Sequence, residues 1–353
     1  MSDRRTFLKT VAYAGAAGFV LGPYSYSAAQ SDRRKITIGD RRVKVVDIHA
    51  HCGIPAVEKV VSRTPLEMTV GNIRLLGPRR LEWLDERGID MQVLSVNEYW
   101  WYAADADLAR RITRVQDEGL AEWCADYPDR FVALSTVSLQ HPDLAAEQLE
   151  YAVTELGHRG ASIGGHVNGT VPSSERFDPF WAKAEELGVP VFMHPSSATY
   201  LVKEGGFDGR GDLGNIIGNP LETTTFLSRM IFDGTFDRFP QLKVCAAHGG
   251  GYLPSYLGRT EVACDVRGNA DCANRKHPSE YLKSQILADS MVFTDEGLRH
   301  LVAEMGAGQV VYGTDIPFNW PDTLDLIINA SYLSNAEKEA ILGGNLLKLL
   351  RIG

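Results

Sequence analysis

Eight short apolar runs, each followed by a longer amphipathic stretch, set the strongest limit on how this chain can fold. The runs are VKVVDIHAH (43–51), MQVLSVN (91–97), RFVALSTVSL (130–139), GASIGGHV (160–167), VPVFMHP (189–195), KVCAAHGGG (243–251), SQILADS (284–290) and QVVYGTDIP (309–317). Stretches such as ADLARRITRVQDEGLAEWCADY and TDEGLRHLVAEMG carry apolar residues at helical spacing between them. Near-continuous apolar runs suit strands buried on both faces, and strict alternation with helices makes neighbouring strands parallel. Eight such units predict an α/β protein of the (β/α)8 TIM-barrel type. A doubly wound sheet is the alternative that the strand count disfavours.

In such a barrel the reactive groups belong at the C-terminal ends of the strands. Of the nine histidines, five fall there: His49 and His51 on the first run, His166 on the fourth, His194 on the fifth and His248 on the sixth. Asp315 ends the eighth. His141, His158, His277 and His300 fall in loops or helices and read as surface residues. Strand alternation predicts that Asp47, His49 and His51 share one face, with the two imidazoles roughly 7 Å apart, close enough to converge on one ion. His49, His51 and His194 are taken as ligands, with Asp315 completing the set or bonding a metal-bound water. Three imidazoles and one carboxylate suit one divalent ion of the zinc type, Zn2+, with a position left for water. His248, beside the glycines of AAHGGGYLP, is then free to move protons, or else is a fourth ligand. His166 is a pocket-lining residue or a supporting one. Trp101, in NEYWWY (97–102), and Phe318 and Trp320 suggest a pocket for a flat apolar substrate; core packing or a dimer surface would use the same aromatics.

The first residues precede this pattern. Arg4 and Arg5, followed by Phe7, Leu8 and Lys9 and a glycine-rich apolar run, read as a twin-arginine leader over residues 1–29, with cleavage after Ala29. The run from Thr10 to Gly22 is too short and too rich in glycine to span a bilayer well. Export to the periplasm or beyond is expected, followed by a single catalytic domain over 30–353. The leader carries a net +2, so the formal charge falls from −9 to −11 on its removal. That acidity argues against nucleic acid and anionic membranes as partners and leaves a small molecule. None of the five cysteines forms a CxxC pair, so a zinc ribbon is unsupported. Cys264 and Cys272 share one polar loop and either bridge in an oxidising compartment or remain two thiols.

Taken together, the HxH of the first run, FMHP, AAHGGGYLP, YGTDIPF, FDRFPQLKVCAAHGGG and LGGNLLKLL resemble the amidohydrolase-2 branch of the amidohydrolase superfamily, and within it the aminocarboxymuconate semialdehyde decarboxylase family. The resemblance runs from about Val43 to Leu350. It implies a mononuclear zinc barrel with His49, His51, His194 and Asp315 as ligands and His248 as the catalytic acid/base. It also implies a homodimer in which Arg259 enters the neighbouring subunit's site. The fourth run holds no lysine that could bridge two ions, so one metal is expected. The family's carboxylate-binding arginine loop is replaced here by GIPAVEKVVSRTPLEMTVGNIRLL, where Arg63 and Arg74 stand in no matching motif.

Two activities share this ligand set. One is non-oxidative decarboxylation of a small unsaturated or aromatic acid; the other is hydrolysis of an amide, ester, lactone or carbon–carbon bond by metal-activated water. A binding protein on an inactive barrel is a third class, disfavoured because every proposed ligand is in place.

Overall fold

A computed structural model of the chain describes residues 33–353, of which Arg34–Gly353 form one compact unit. The expected leader lies outside the described residues. After a short antiparallel hairpin (Thr37–Ile38 with Arg41–Arg42) come the eight strands: β1 Val46–His51, β2 Met91–Ser95, β3 in two pieces (Phe131–Ala133 and Ser135–Thr136), β4 Ala161–Gly164, β5 Val191–His194, β6 Val244–Ala246, β7 Ile286–Asp289 and β8 Val310–Val311. Neighbours pair in parallel in sequence order, with β3 split at Leu134. Backbone bonds from His51 N to Ile316 O (2.7 Å) and from Asp315 N to His49 O (2.8 Å) join the segment after β8 to β1. The eight strands therefore form the expected (β/α)8 barrel.

The layers follow from side-chain chemistry. Inside the barrel, Val46, Ile48, Met91, Val93, Leu134, Phe192, Cys245, Leu287 and Val311 make one apolar cluster, closed by Leu346 and Leu350 of the C-terminal segment. That segment comes close because Gly343 has no Cβ; one placed there would lie 2.0 Å from Lys44 O. The larger apolar cluster lies between the strands and the outer helices, with Phe177, Phe180, Trp181 and Phe226 fully buried in it. Helix α1 (Pro78–Arg87) starts on a proline and ends on Gly88 at φ 77°, the usual asymmetry of helix ends. Helix α2 (Ala106–Asp126) is capped by Asp105, which accepts from Leu108 N at 2.9 Å. Helices α3 (Pro142–Thr154), α4 (Asp178–Leu187) and α5 (Asn219–Phe232) continue the outer ring. No helix among the described residues is long and apolar enough to cross a membrane.

Two expectations are corrected. Asp47 does not share a face with the two histidines, because the register of β1 against β2 shifts between Asp47 and Ala50. Such a bulge breaks the two-residue alternation. Ile48 joins the interior cluster, and Asp47 bonds to Gln92 Nε2 (2.7 Å) and Thr314 Oγ1 (2.7 Å). Gln92 lies between the inward residues Met91 and Val93, so its side chain, and Asp47 with it, belongs to the other face. The second correction concerns His158, which is 3% exposed rather than on the surface.

Burial holds the His158 imidazole down to about 4, against an ordinary value of 6.5. The unfolded chain therefore binds a proton between these values that the folded chain refuses, and stability falls as pH drops through that window. Replacing His158 with Leu is expected to remove roughly 2 kcal/mol of the stability difference between pH 7 and pH 5. Urea unfolding of both proteins at the two pH values checks this; parallel pH dependence would contradict it.

Candidate metal centre

Each reactive side chain stands where a strand runs out. His51 and His194 are the last residues of β1 and β5, His248 follows β6 by two residues, and Asp315 lies four beyond β8. Two backbone departures aim them. His248 has φ 56° and Asp315 φ 60°, a region that costs a non-glycine residue about 1–3 kcal/mol and persists where surrounding structure imposes it. Gly249 after His248 is also left-handed, and a Cβ there would come within 2.7 Å of Val292 Cγ1.

The rings of His49 and His194 are 5.0 Å apart, those of His51 and His194 4.5 Å, and those of His49 and His248 5.0 Å. Asp315 stands among them: its Oδ1 is 3.2 Å from His49 Nε2 and 2.8 Å from His51 Nε2, and its Oδ2 is 3.9 Å from His248 Nε2. His49 Nε2, both ring nitrogens of His51, His194 Nδ1, His248 Nδ1 and Asp315 Oδ1 are buried without a hydrogen-bond partner. So many converging orphan ligand atoms in one place fit a cation, because buried polar atoms are otherwise paired. Among the described residues this is the single cluster spaced to hold a metal. Its tightest set, with ligand atoms all within 4.8 Å, is His49, His194, His248 and Asp315. Spacing alone thus admits His248 and leaves out His51, which pairs with the other oxygen of Asp315.

Electrostatics agree with a site suited to a cation. Burial pushes the Asp315 carboxyl up, but His49, His248 and His51 pull it well below the carboxylate range. Burial, then the neighbouring imidazoles, hold His194 well below its ordinary value, and burial lowers His51. Those two rings are neutral and free to ligate. Burial also opposes a charge on His49, yet Asp315 and Asp289 outweigh it and raise the ring to about 10. A divalent ion at this point would take over the charge that the proton otherwise supplies.

A cavity of about 470 Å³ opens onto the cluster. His51, His194, His248 and Asp315 line its floor, and Arg74, Glu98, Asp212, Asn215, Asn219, Phe318 and Trp320 line its walls. Arg74 is ion-paired with Glu98, donates to Tyr99 Oη at 3.0 Å and lies 5.5 Å from the Phe318 ring centre. The expected pocket aromatics Phe318 and Trp320 are in place, the latter stacked on Phe293 at 5.5 Å. Trp101 and His166 are not among the lining residues. Trp101 Nε1 donates to Gln116 Oε1 at 2.6 Å. His166 Nε2 bonds Ser197 O at 3.1 Å and its Nδ1 accepts from Gly169 N at 2.9 Å, so both nitrogens are engaged in loop structure. Arg259 is exposed on the short helix Leu257–Glu261, with no ion-pair partner among the described residues; Glu261 instead accepts from Ser279. Cys264 and Cys272 form a disulfide. Sequence reading passed over Asp289, although it ends the seventh apolar run much as Asp315 ends the eighth. Arg74 showed only as an arginine outside any motif, and Asp212, Asn215 and Asn219, at and just before the start of α5, belong to no pattern that points to a site.

Residues 46–352 match the amidohydrolase-2 family model, described as amidohydrolase. A 2-amino-3-carboxymuconate-6-semialdehyde decarboxylase from Dictyostelium discoideum is 35% identical over 77% of this chain and 75% of its own. A crystal structure of a 5-carboxyvanillate decarboxylase from Sphingomonas paucimobilis superposes with a TM-score of 0.80 at 25% identity, covering 88% of this chain and all of the other. A dihydroxybenzoic acid decarboxylase from Polaromonas, with bound manganese and the inhibitor 2-nitroresorcinol, gives 0.76 at 25% identity, covering 88% and 97%.

Purified protein is expected to hold one divalent ion per chain and His194→Ala to lose it. Elemental analysis finding two stoichiometric ions, or a full complement in the variant, would contradict a single centre.

Proposed function

The chain belongs to the amidohydrolase-2 family, and from that premise we propose that it is a metal-dependent, non-oxidative decarboxylase of a small aromatic or unsaturated carboxylic acid. The observation that carries this reading is Arg74: a guanidinium lines the same cavity as the histidine cluster, beside the aromatic walls Phe318 and Trp320. A planar guanidinium holds a carboxylate through two parallel hydrogen bonds, which a neutral amide or lactone would not use. Relatives whose names describe decarboxylases of carboxylated muconate, vanillate and hydroxybenzoate support the same class.

In this reading His49, His51, His194 and Asp315 hold the ion, because His51 and Asp315 are buried and in direct contact. His248 keeps a side chain 17% exposed to the cavity, as a group that must meet substrate and exchange protons requires. The ion would supply a fixed positive charge that orients substrate oxygens and offsets charge developing on them. Phe318 and Trp320 hold the flat body of the substrate, and Arg74 anchors an anionic group. His248 gives its proton to the carbon bearing the carboxyl group. The bond to that carboxyl breaks, carbon dioxide leaves, and the electron pair re-forms the conjugated system with the new C–H bond in place. Solvent reaching the cavity returns a proton to His248. The imidazole-rich donor set favours zinc on ligand chemistry, whereas the Polaromonas relative holds manganese. Arg259, exposed and without an ion-pair partner among the described residues, is assigned to the neighbouring subunit's site in a homodimer.

Carbon dioxide release is expected from ion-loaded enzyme given aromatic and unsaturated acids. Hydrolysis of amides or lactones without carbon dioxide release would sink the reading. His248→Ala should retain the ion and lose about 10² to 10⁴ in kcat. Arg74→Ala should chiefly raise KM for the acid, and Arg259→Ala should do so only under conditions where sedimentation shows a dimer.

We assign the chain to the periplasm or the exterior, on the twin arginines Arg4 and Arg5 and on the Cys264–Cys272 bridge, which suits an oxidising compartment. Changing both arginines to lysine should leave the protein in the cytoplasmic fraction. Export of that variant at the native level would be evidence against the assignment.

A further inference from the structure

Asp289 ends β7 with its side chain fully buried, and both of its oxygens are occupied. Oδ2 accepts from His49 Nδ1 at 2.6 Å and from the backbone N of His248 at 3.0 Å. Oδ1 accepts from Gly249 N at 2.8 Å and Met291 N at 3.1 Å. The first contact fixes the His49 tautomer: with hydrogen on Nδ1, its Nε2 lone pair faces Asp315 and the other imidazoles. The next two hold the turn at which His248 and Gly249 both take left-handed backbone, at φ 56° and φ 64°. Two buried N–H groups aimed at one carboxylate offset the strain of that turn and set where the His248 ring lies. Gly313 makes the contact possible, since a Cβ there would sit 2.9 Å from the Cβ atoms of both Asp289 and His49.

We propose that Asp289 is the positioning residue that couples the metal ligand to the proton donor: one carboxylate sets the affinity of the centre through His49 and the reach of His248 through its backbone. The inference rests on the roles given above to His49 and His248. It adds a residue that touches neither ion nor substrate, yet governs the two groups that do. Asparagine has nearly the same shape but offers one acceptor oxygen. Its neutral amide takes the anionic partner from His49 whichever way it is turned, and its NH2 replaces the acceptor of either His248 N or Gly249 N, so both sides of the coupling weaken.

The test compares ion-loaded wild type with Asp289→Asn, using zinc ion in competition with a chelator of known affinity. Residues supporting a ligand histidine are typically worth 10–100-fold in metal affinity, and the variant is expected to bind zinc about 10–100-fold more weakly. At saturating zinc its kcat should stay below the wild-type value while KM changes less. Native zinc affinity, or a wild-type kcat once zinc saturates, overturns the proposal. Should Asp289→Asn fail to fold, Gly313→Ala keeps the carboxylate and crowds its contact with His49. The same two losses are expected there in milder form, and native values for both would overturn the proposal. A wild type that binds no zinc would contradict the metal reading, and this inference with it. A wild type that binds zinc but releases no carbon dioxide would contradict only the decarboxylase reading, and the affinity comparison would still decide the role of Asp289.

Discussion

Closure of the barrel between β8 and β1 is the contact on which the site depends. The exchange of backbone bonds between Asp315 and His49 and between His51 and Ile316 brings residues more than 260 positions apart in sequence to one point. Without it, the carboxylate and the HxH pair would sit on opposite edges of an open sheet. The same seam is tied on its outer face by Asp47, which accepts from Thr314 N and Oγ1 and from Gln92 Nε2. Arg80 extends that network from α1, donating to Gln92 Oε1 at 2.9 Å and to the carbonyl of His51 at 2.6 Å. The bulge in β1 therefore has two effects: it turns Asp47 outward to hold the seam and leaves His49 and His51 inward to line the site.

This arrangement costs stability that a purely apolar barrel would keep. Charged and polar atoms are buried at the strand ends, where desolvation penalises each of them unless it is paired. Asp289 is paired four times over, while Asp315 and the inward nitrogens of His49, His51, His194 and His248 are left facing one another. Two left-handed non-glycine residues add backbone strain in the same place. Unsatisfied donors and strained turns concentrated at one mouth, above a close-packed apolar interior, mark where binding energy is to be recovered from an ion and a substrate.

How much of this was legible in the sequence depended on whether a residue obeyed strand periodicity. The eight apolar runs found all eight strands because parallel barrel strands are buried on both faces and so stand out as continuous runs. The histidines at their ends and Asp315 followed from the rule that barrel sites crowd the C-terminal mouth. Asp47 was placed on the wrong face because a bulge leaves no composition signal. His158 was assigned to the surface because it falls between elements, but the connection from α3 to β4 packs it inward. Trp101 and His166 lie in the right region of the chain, but their polar atoms are engaged by Gln116 and by the backbone of residues 169 and 197, and neither is among the cavity's lining residues. Arg74 was visible only as an arginine outside any motif. Its place in the wall comes from the irregular path of residues 62–77, which no period describes.

The central claim is a division of labour among five clustered side chains, with four holding one ion and His248 reserved for protons. A crystal structure of the ion-loaded enzyme, with the ion located by anomalous scattering, tests it most directly. The ion is expected against His49, His51, His194 and Asp315, with His248 beyond bonding distance and facing the cavity that Arg74 lines. An ion bonded to His248, with His51 outside its coordination, would contradict that division and assign the proton to another group.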